Sequence, residues 1–304
     1  MLSFINPTRR RSSKSVSQAG ATSALESRVL LAGNVSASLS AGGTLTINGD
    51  SNNNRIDVTD DGLGTIVVHE DALGTVNGSN DIEFNSADVK NIVIRGRAGN
   101  DDVRLLNLNL SGSLWANLGS GKDDFSVDNS HFGGKLTILG SLGDDHIDLR
   151  TTEVDGATYV NSDGGSDQVH FQDFLAHGKV VVFTGVGDDE VEVFNGASTF
   201  EQAVRIHTDG GSDYVRVGDG TTFDGAVTVN TGSNADRVEA SLSTFNGNVS
   251  VSLGSGADEI TVTGNTFNQA VTLDGGSNQD ILFNDGTNTF AFTPVVRRIE
   301  TIIV

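Results

Sequence analysis

The sequence predicts an all-β protein: a single-stranded right-handed parallel β-helix of about nine to ten coils of ~22 residues. Three observations predict it. An Asp recurs at Asp101, Asp123, Asp145, Asp167, Asp189, Asp213, Asp236, Asp258 and Asp280, in steps of 22, 22, 22, 22, 24, 23, 22 and 22. Apolar columns keep step with it on both sides. Two residues before each Asp stands only Gly or Asn: Gly99, Gly121, Gly143, Gly165, Gly187, Gly211, Asn234, Gly256 and Asn278.

Composition narrows the functions. The chain has 304 residues, 38 Gly, 2 Pro, no Cys and a net charge of −21. Without Cys there is no disulfide framework and no thiolate metal site. The acidic balance excludes a nucleic-acid partner and favours cations or basic partners. No apolar run approaches the roughly 20 residues of a membrane span.

Residues 1–33 carry Arg9, Arg10, Arg11, Lys14 and Arg28 against Glu26 and show no strand alternation. They read as a targeting or disordered segment outside the fold. Within them, "ALESRVLLAG" (24–33) resembles the LEPR-XLL motif at the N-termini of large repetitive bacterial surface proteins, with Ser27 at the motif's Pro. The resemblance implies export, to a secreted or cell-surface location.

Residues 34–90 depart from the repeat and read as N-terminal capping strands over an otherwise open sheet edge. Inside them "GTLTINGDSNNNRIDV" (43–58) is a degenerate first copy, with Asn52 and Asn54 in the Gly and Asp places.

Residues 91–304 form the helix proper. Nine residues before each Asp stand Ile92, Leu114, Leu136, Thr158, Val180, Val204, Val227, Val249 and Val271. Two residues after it come Val103, Phe125, Ile147, Val169, Val191, Val215, Val238, Ile260 and Leu282. Each copy thus holds two short strands with inward positions marked. A later column reads Leu110, Phe132, Val154, Ala176, Phe200, Phe223, Phe245, Phe267 and Phe290. One coil cannot bury these positions alone, and stacking makes the core. The coil length resembles that of pectate-lyase-like helices, and the crossover preference of parallel strands selects the right hand. A β-sandwich, the rival fold, would not require such columns. The Gly/Asn column supplies one left-handed residue per coil. The last strand, "RRIETIIV" (297–304), shows no cap and is a candidate edge for end-to-end self-association into a fibre.

The acidic turns, such as "GSGKDD" and "GVGDDE", resemble RTX calcium-binding repeats. That resemblance implies Ca²⁺ held by the Asp column, with Asp102, Asp124 and Glu190 as added oxygens in some coils. Here the period is 22 rather than nine, with one turn per coil. Carboxylates stacked about 4.8 Å apart repel by roughly 1 kcal/mol per pair in water. Two remedies are open: backbone N–H groups of the same turn, or Ca²⁺ between coils.

Between the inward positions of the first strand, Trp115 and Tyr159 point outward two coils apart, a candidate carbohydrate-binding platform. Thr199, Thr222, Thr244, Thr266 and Thr289 form a hydroxyl row suited to β structure. The six His fall in different columns, and the largest insertion adds two residues. No acid–base constellation or walled cleft is visible. The expected function is a secreted or cell-surface structural or adhesive protein, calcium-stabilised and without catalysis, with a polysaccharide or a surface protein as partner. Two alternatives stay open: a carbohydrate-binding or polysaccharide-cleaving β-helix, and a self-assembling fibre subunit.

Overall fold

The structure is a computed structural model that describes residues 34–70 and 74–304; the segment 1–33 lies outside the described residues. It is a parallel β-solenoid of about ten turns. Each coil contributes one strand to a first sheet, one to a second sheet, and a two-residue ledge. The coil at 227–245 shows the plan: Val227–Ser233, Arg237–Ser241 and Thr244–Phe245. In the coils at 114–154 the second strand and the ledge are continuous, as Asp124–Phe132 and His146–Val154.

Alternation places the apolar columns inside. Leu114 pairs with Leu136, Leu136 with Thr158 and Thr158 with Val180. On the second sheet Phe125, Ile147, Val169, Val191 and Val215 follow one another in register. All but Thr158 are apolar, and all are buried. The ledge column ends in a stack of parallel rings: Phe200, Phe223, Phe245, Phe267 and Phe290, with centroids 4.8–5.1 Å apart. The coil spacing sets this distance, so each ring is in van der Waals contact with the next.

The corners need more than the single left-handed residue that was expected. The Gly/Asn column does adopt positive φ at most positions, for example Gly121 at 143° and Asn234 at 80°. Two further columns do so as well. One lies four residues before the Asp (Arg97, Gly119, Ser141, Asp163) and one lies six after it (Asn107, Asn129, Thr151, Asp173, Asn195, Asp219, Leu242). At Gly143 a Cβ would stand 1.6 Å from the carbonyl oxygen of Gly121, so close stacking of corners demands glycine there.

The stretch 43–58 stacks as a coil. Leu45 pairs with Ile92 and Ile56 with Val103, both in parallel. Antiparallel strands cover its outer edge: Asn34–Leu39 on the first sheet, and Thr65–Glu70 followed by Asp81–Asn85 on the second. At the other end Thr301–Ile303 pairs with Ile281–Asn284. Ile302, Ile303 and Val304 are exposed there, Val304 at 87 %. Among the described residues no helix is long and apolar enough to cross a membrane.

Candidate functional site

The Asp column forms one continuous hydrogen-bonded ladder. Oδ1 of each Asp accepts the backbone N–H of the equivalent residue in the preceding coil. Asp101 N donates to Asp123, Asp123 N to Asp145, and so on to Asp258 N and Asp280, at 2.7–3.0 Å. Asn54 N donates to Asp101 Oδ1 at the start, and Glu300 Oε2 accepts from Asp280 N at the end. The backbone N–H groups are therefore those of the neighbouring coil, not of the same turn as the sequence suggested.

All nine Asp are buried, at 1–3 % exposure. Their Oδ2 atoms are buried with no hydrogen-bond donor. Burial therefore pushes these carboxyls up: Asp101 and Asp145 to about 7, Asp189, Asp213, Asp236 and Asp258 to about 6. Asp123, Asp167 and Asp280 shift upward for the same reason.

Calcium takes six to eight oxygens. Here each carboxylate offers one oxygen already aimed at an N–H and a second in a closed space. At Gly140 even a Cβ would stand 2.4 Å from Asp145 Oδ2. This donor set does not fit a calcium cage.

The other acids expected as ligands lie elsewhere. Asp102, Asp124 and Glu190 point outward from the second sheet. Asp102 bonds Arg104 at 2.8 Å, and Glu190 accepts from Gln168 Nε2 at 3.1 Å. Asp124 Oδ1 lies 3.4 Å from His146 Nδ1, which holds the Asp124 carboxyl low and the His146 imidazole high.

This face carries a groove that the sequence did not reveal. It measures about 370 Å³ and is lined by Arg104, Asp124, Asp128, His146, Asp148 and Arg150. His146 Nε2 lies 3.4 Å from His170 Nδ1. Asp148 is buried and bonded to Arg150. Burial, and then His146, push His170 down while Asp124 holds His146 up. The two imidazoles thus favour opposite protonation states, an arrangement able to move a proton. The His look scattered in sequence because they occupy columns two residues apart. On a sheet such columns are diagonal neighbours across adjacent coils.

Trp115 and Tyr159 do share one outward row of the first sheet, separated by Thr137. Arg95 lies over the Trp115 ring, 5.4 Å from its centroid. Phe183 and His207 extend the row beyond Tyr159, with centroid separations of 6.0 and 5.0 Å. Sequence reasoning missed these two, which stand two positions further along their strands. The aromatic row belongs to the first sheet and the His groove to the second, where Phe194 packs edge-on against His170, 5.3 Å between centroids. No family model, curated protein or solved structure matches the chain.

Proposed function

We propose that the protein is a non-catalytic structural solenoid exported to the cell surface or its surroundings. One observation carries this reading: the repeated Asp of every coil is committed to holding the neighbouring coil. The element that recurs most faithfully therefore builds length rather than binding a ligand. Export rests on the resemblance of residues 24–33 to a surface-protein motif. A tagged full-length chain in a bacterial host tests it. Protease added to intact cells should remove the tag, and deletion of 1–33 should protect it. Tag protected in both forms would sink the reading.

A second reading, carbohydrate binding, is favoured by the row Trp115, Tyr159, Phe183 and His207. Trp115 is the single Trp of the chain, so its fluorescence reports the platform directly. Oligosaccharide titration should give a saturable change that Tyr159→Ala weakens; a flat titration dismisses the platform. Stacking through 297–304 rests on the exposure of Ile302, Ile303 and Val304. Sedimentation should then depend on concentration, and Ile302→Lys should abolish that dependence.

A further inference from the structure

The corner beyond the ledge gathers side chains from four consecutive coils, outside every site described above. His131 and Glu153 are register partners in adjacent coils. Asp155, His177 and Glu201 follow just past the ledge. Backbone N–H bonds to the preceding coil hold each of them, at 3.0, 3.0 and 2.9 Å. The positions are thus set by the solenoid and need little ordering to act together.

His131 Nε2 lies 3.3 Å from Asp155 Oδ1. His177 Nε2 lies 2.9 Å from Glu153 Oε1 and 4.0 Å from Asp155 Oδ1. The ligand atoms of His131, Glu153 and Asp155 all fall within 4.8 Å of one another. Four ligands at the zinc distance of about 2.0–2.1 Å around a tetrahedral ion stand about 3.3 Å apart. The His131–Asp155 pair already stands at that spacing, and His177 adjoins the group through Glu153 and Asp155.

The second nitrogens are held as well. His131 Nδ1 lies 3.2 Å from Asn109 Oδ1, and His177 Nδ1 lies 3.0 Å from Glu201 Oε2. An acceptor on Nδ1 keeps the proton there and turns the Nε2 lone pair inward, the arrangement of metal-bound imidazoles. Three carboxylates face two imidazoles, so the cluster is short of positive charge. A dication placed between these side chains would supply the missing positive charge. All four ligands are partly exposed, which gives an ion a path in from solvent.

We propose that His131 Nε2, Glu153, Asp155 and His177 Nε2 form a structural site for a zinc-class divalent ion. Asn109 and Glu201 orient its imidazoles, and the ion clamps three consecutive coils. Two nitrogens and two carboxylates select Zn²⁺ or Co²⁺ over Ca²⁺ and Mg²⁺, which prefer all-oxygen shells.

The test is calorimetric titration of the full chain with Zn²⁺, Ca²⁺ and Mg²⁺, alongside the visible spectrum with Co²⁺. One Zn²⁺ per chain should bind, with proton release and a four-coordinate Co²⁺ spectrum. His131→Ala and His177→Ala should each abolish the Co²⁺ spectrum, and Glu201→Gln should weaken Zn²⁺ roughly 10-fold. Circular dichroism in chelator verifies that the variants fold. The double variant His146→Ala/His170→Ala, in the groove of the second sheet, should still bind one ion. No saturable Zn²⁺ binding, unchanged binding in His131→Ala and His177→Ala, or loss of binding in the groove double variant would each overturn the proposal.

Discussion

Two corners of each coil face the same problem and solve it with different chemistry. At both, the chain turns through left-handed residues, and a buried backbone N–H needs an acceptor from the next coil. The first corner uses the Asp ladder. The second uses uncharged groups: Leu108 N donates to Ser130 Oγ, Phe174 N to Ser198 Oγ, Ser243 N to Asn265 Oδ1 and Asn265 N to Asn288 Oδ1, at 2.8–3.0 Å. Ser130, Ser198, Ser243 and Asn265 are as buried as the acids. The difference is that the buried acceptors of the first corner can titrate and those of the second cannot. A structural role does not require the charge; it requires an acceptor of the right reach. Asn54 shows this inside the Asp column itself. Its Oδ1 accepts from Asp50 N at 3.0 Å, and its N–H continues the ladder into Asp101.

The comparison is broken most severely at Asn265. Its amide also donates to Ala240 O and Asn288 Oδ1, so Asn265→Ala removes three bonds, one buried and two partly buried. A loss of about 3 kcal/mol is expected, read from the urea midpoint. Asp145→Ala orphans only the N–H of Asp123 and should cost about 2 kcal/mol in the same assay.

Asp145→Asn sharpens the comparison. It keeps an acceptor and removes the titration, so it should cost less than the Ala variant near pH 8. The sign of the pH effect follows from the raised carboxyls. Folding lifts Asp101 and Asp145 from 3.8 to about 7, and four others to about 6. Between those values the folded chain holds more protons than the unfolded chain. Stability is therefore full below 3.8 and falls as pH rises through 6 to 7. Asp145→Asn should flatten that fall. The uncharged acceptors of the second corner contribute nothing to it.

Smaller effects test the corners themselves. Leu242 is exposed and sits at φ 51°, where the equivalent residue of the next coil is Gly264. Leu242→Gly should raise stability by about 0.5–1 kcal/mol in thermal melts, since strain relief exceeds the entropic cost of Gly. Asp124→Asn, one residue after the ladder, faces solvent and His146. Screening leaves it about 0.5 kcal/mol or less by the same melt.

The strands and the Asp corner are legible in the sequence because each rests on one residue type repeated at one period. The second corner is not. Its column reads Leu108, Ser130, Thr152, Phe174, Ser198, Thr221, Ser243 and Asn265, since a hydroxyl or an amide serves equally and some coils need neither. Its left-handed turn did leave a signal, in Asn107, Asn129, Asp173, Asn195 and Asp219, residues that tolerate positive φ. The direction of the Asp bonds left none, because the spacing of the column is the same whether the N–H comes from its own turn or from the neighbouring coil. The His clusters escaped for a geometric reason. Side chains from columns two apart meet only when coils stack, as at His146 with His170 and at His131 with Asp155.

The most direct measurement is the melting temperature of the full chain at about pH 5.5 and about pH 8, in chelator and in millimolar Ca²⁺. If the Asp ladder is a buried acceptor row, the chain melts higher at the acid pH and Ca²⁺ leaves both values unchanged. A large rise with Ca²⁺ at the higher pH, with the acid form the weaker, would contradict the account and make the ladder a metal site.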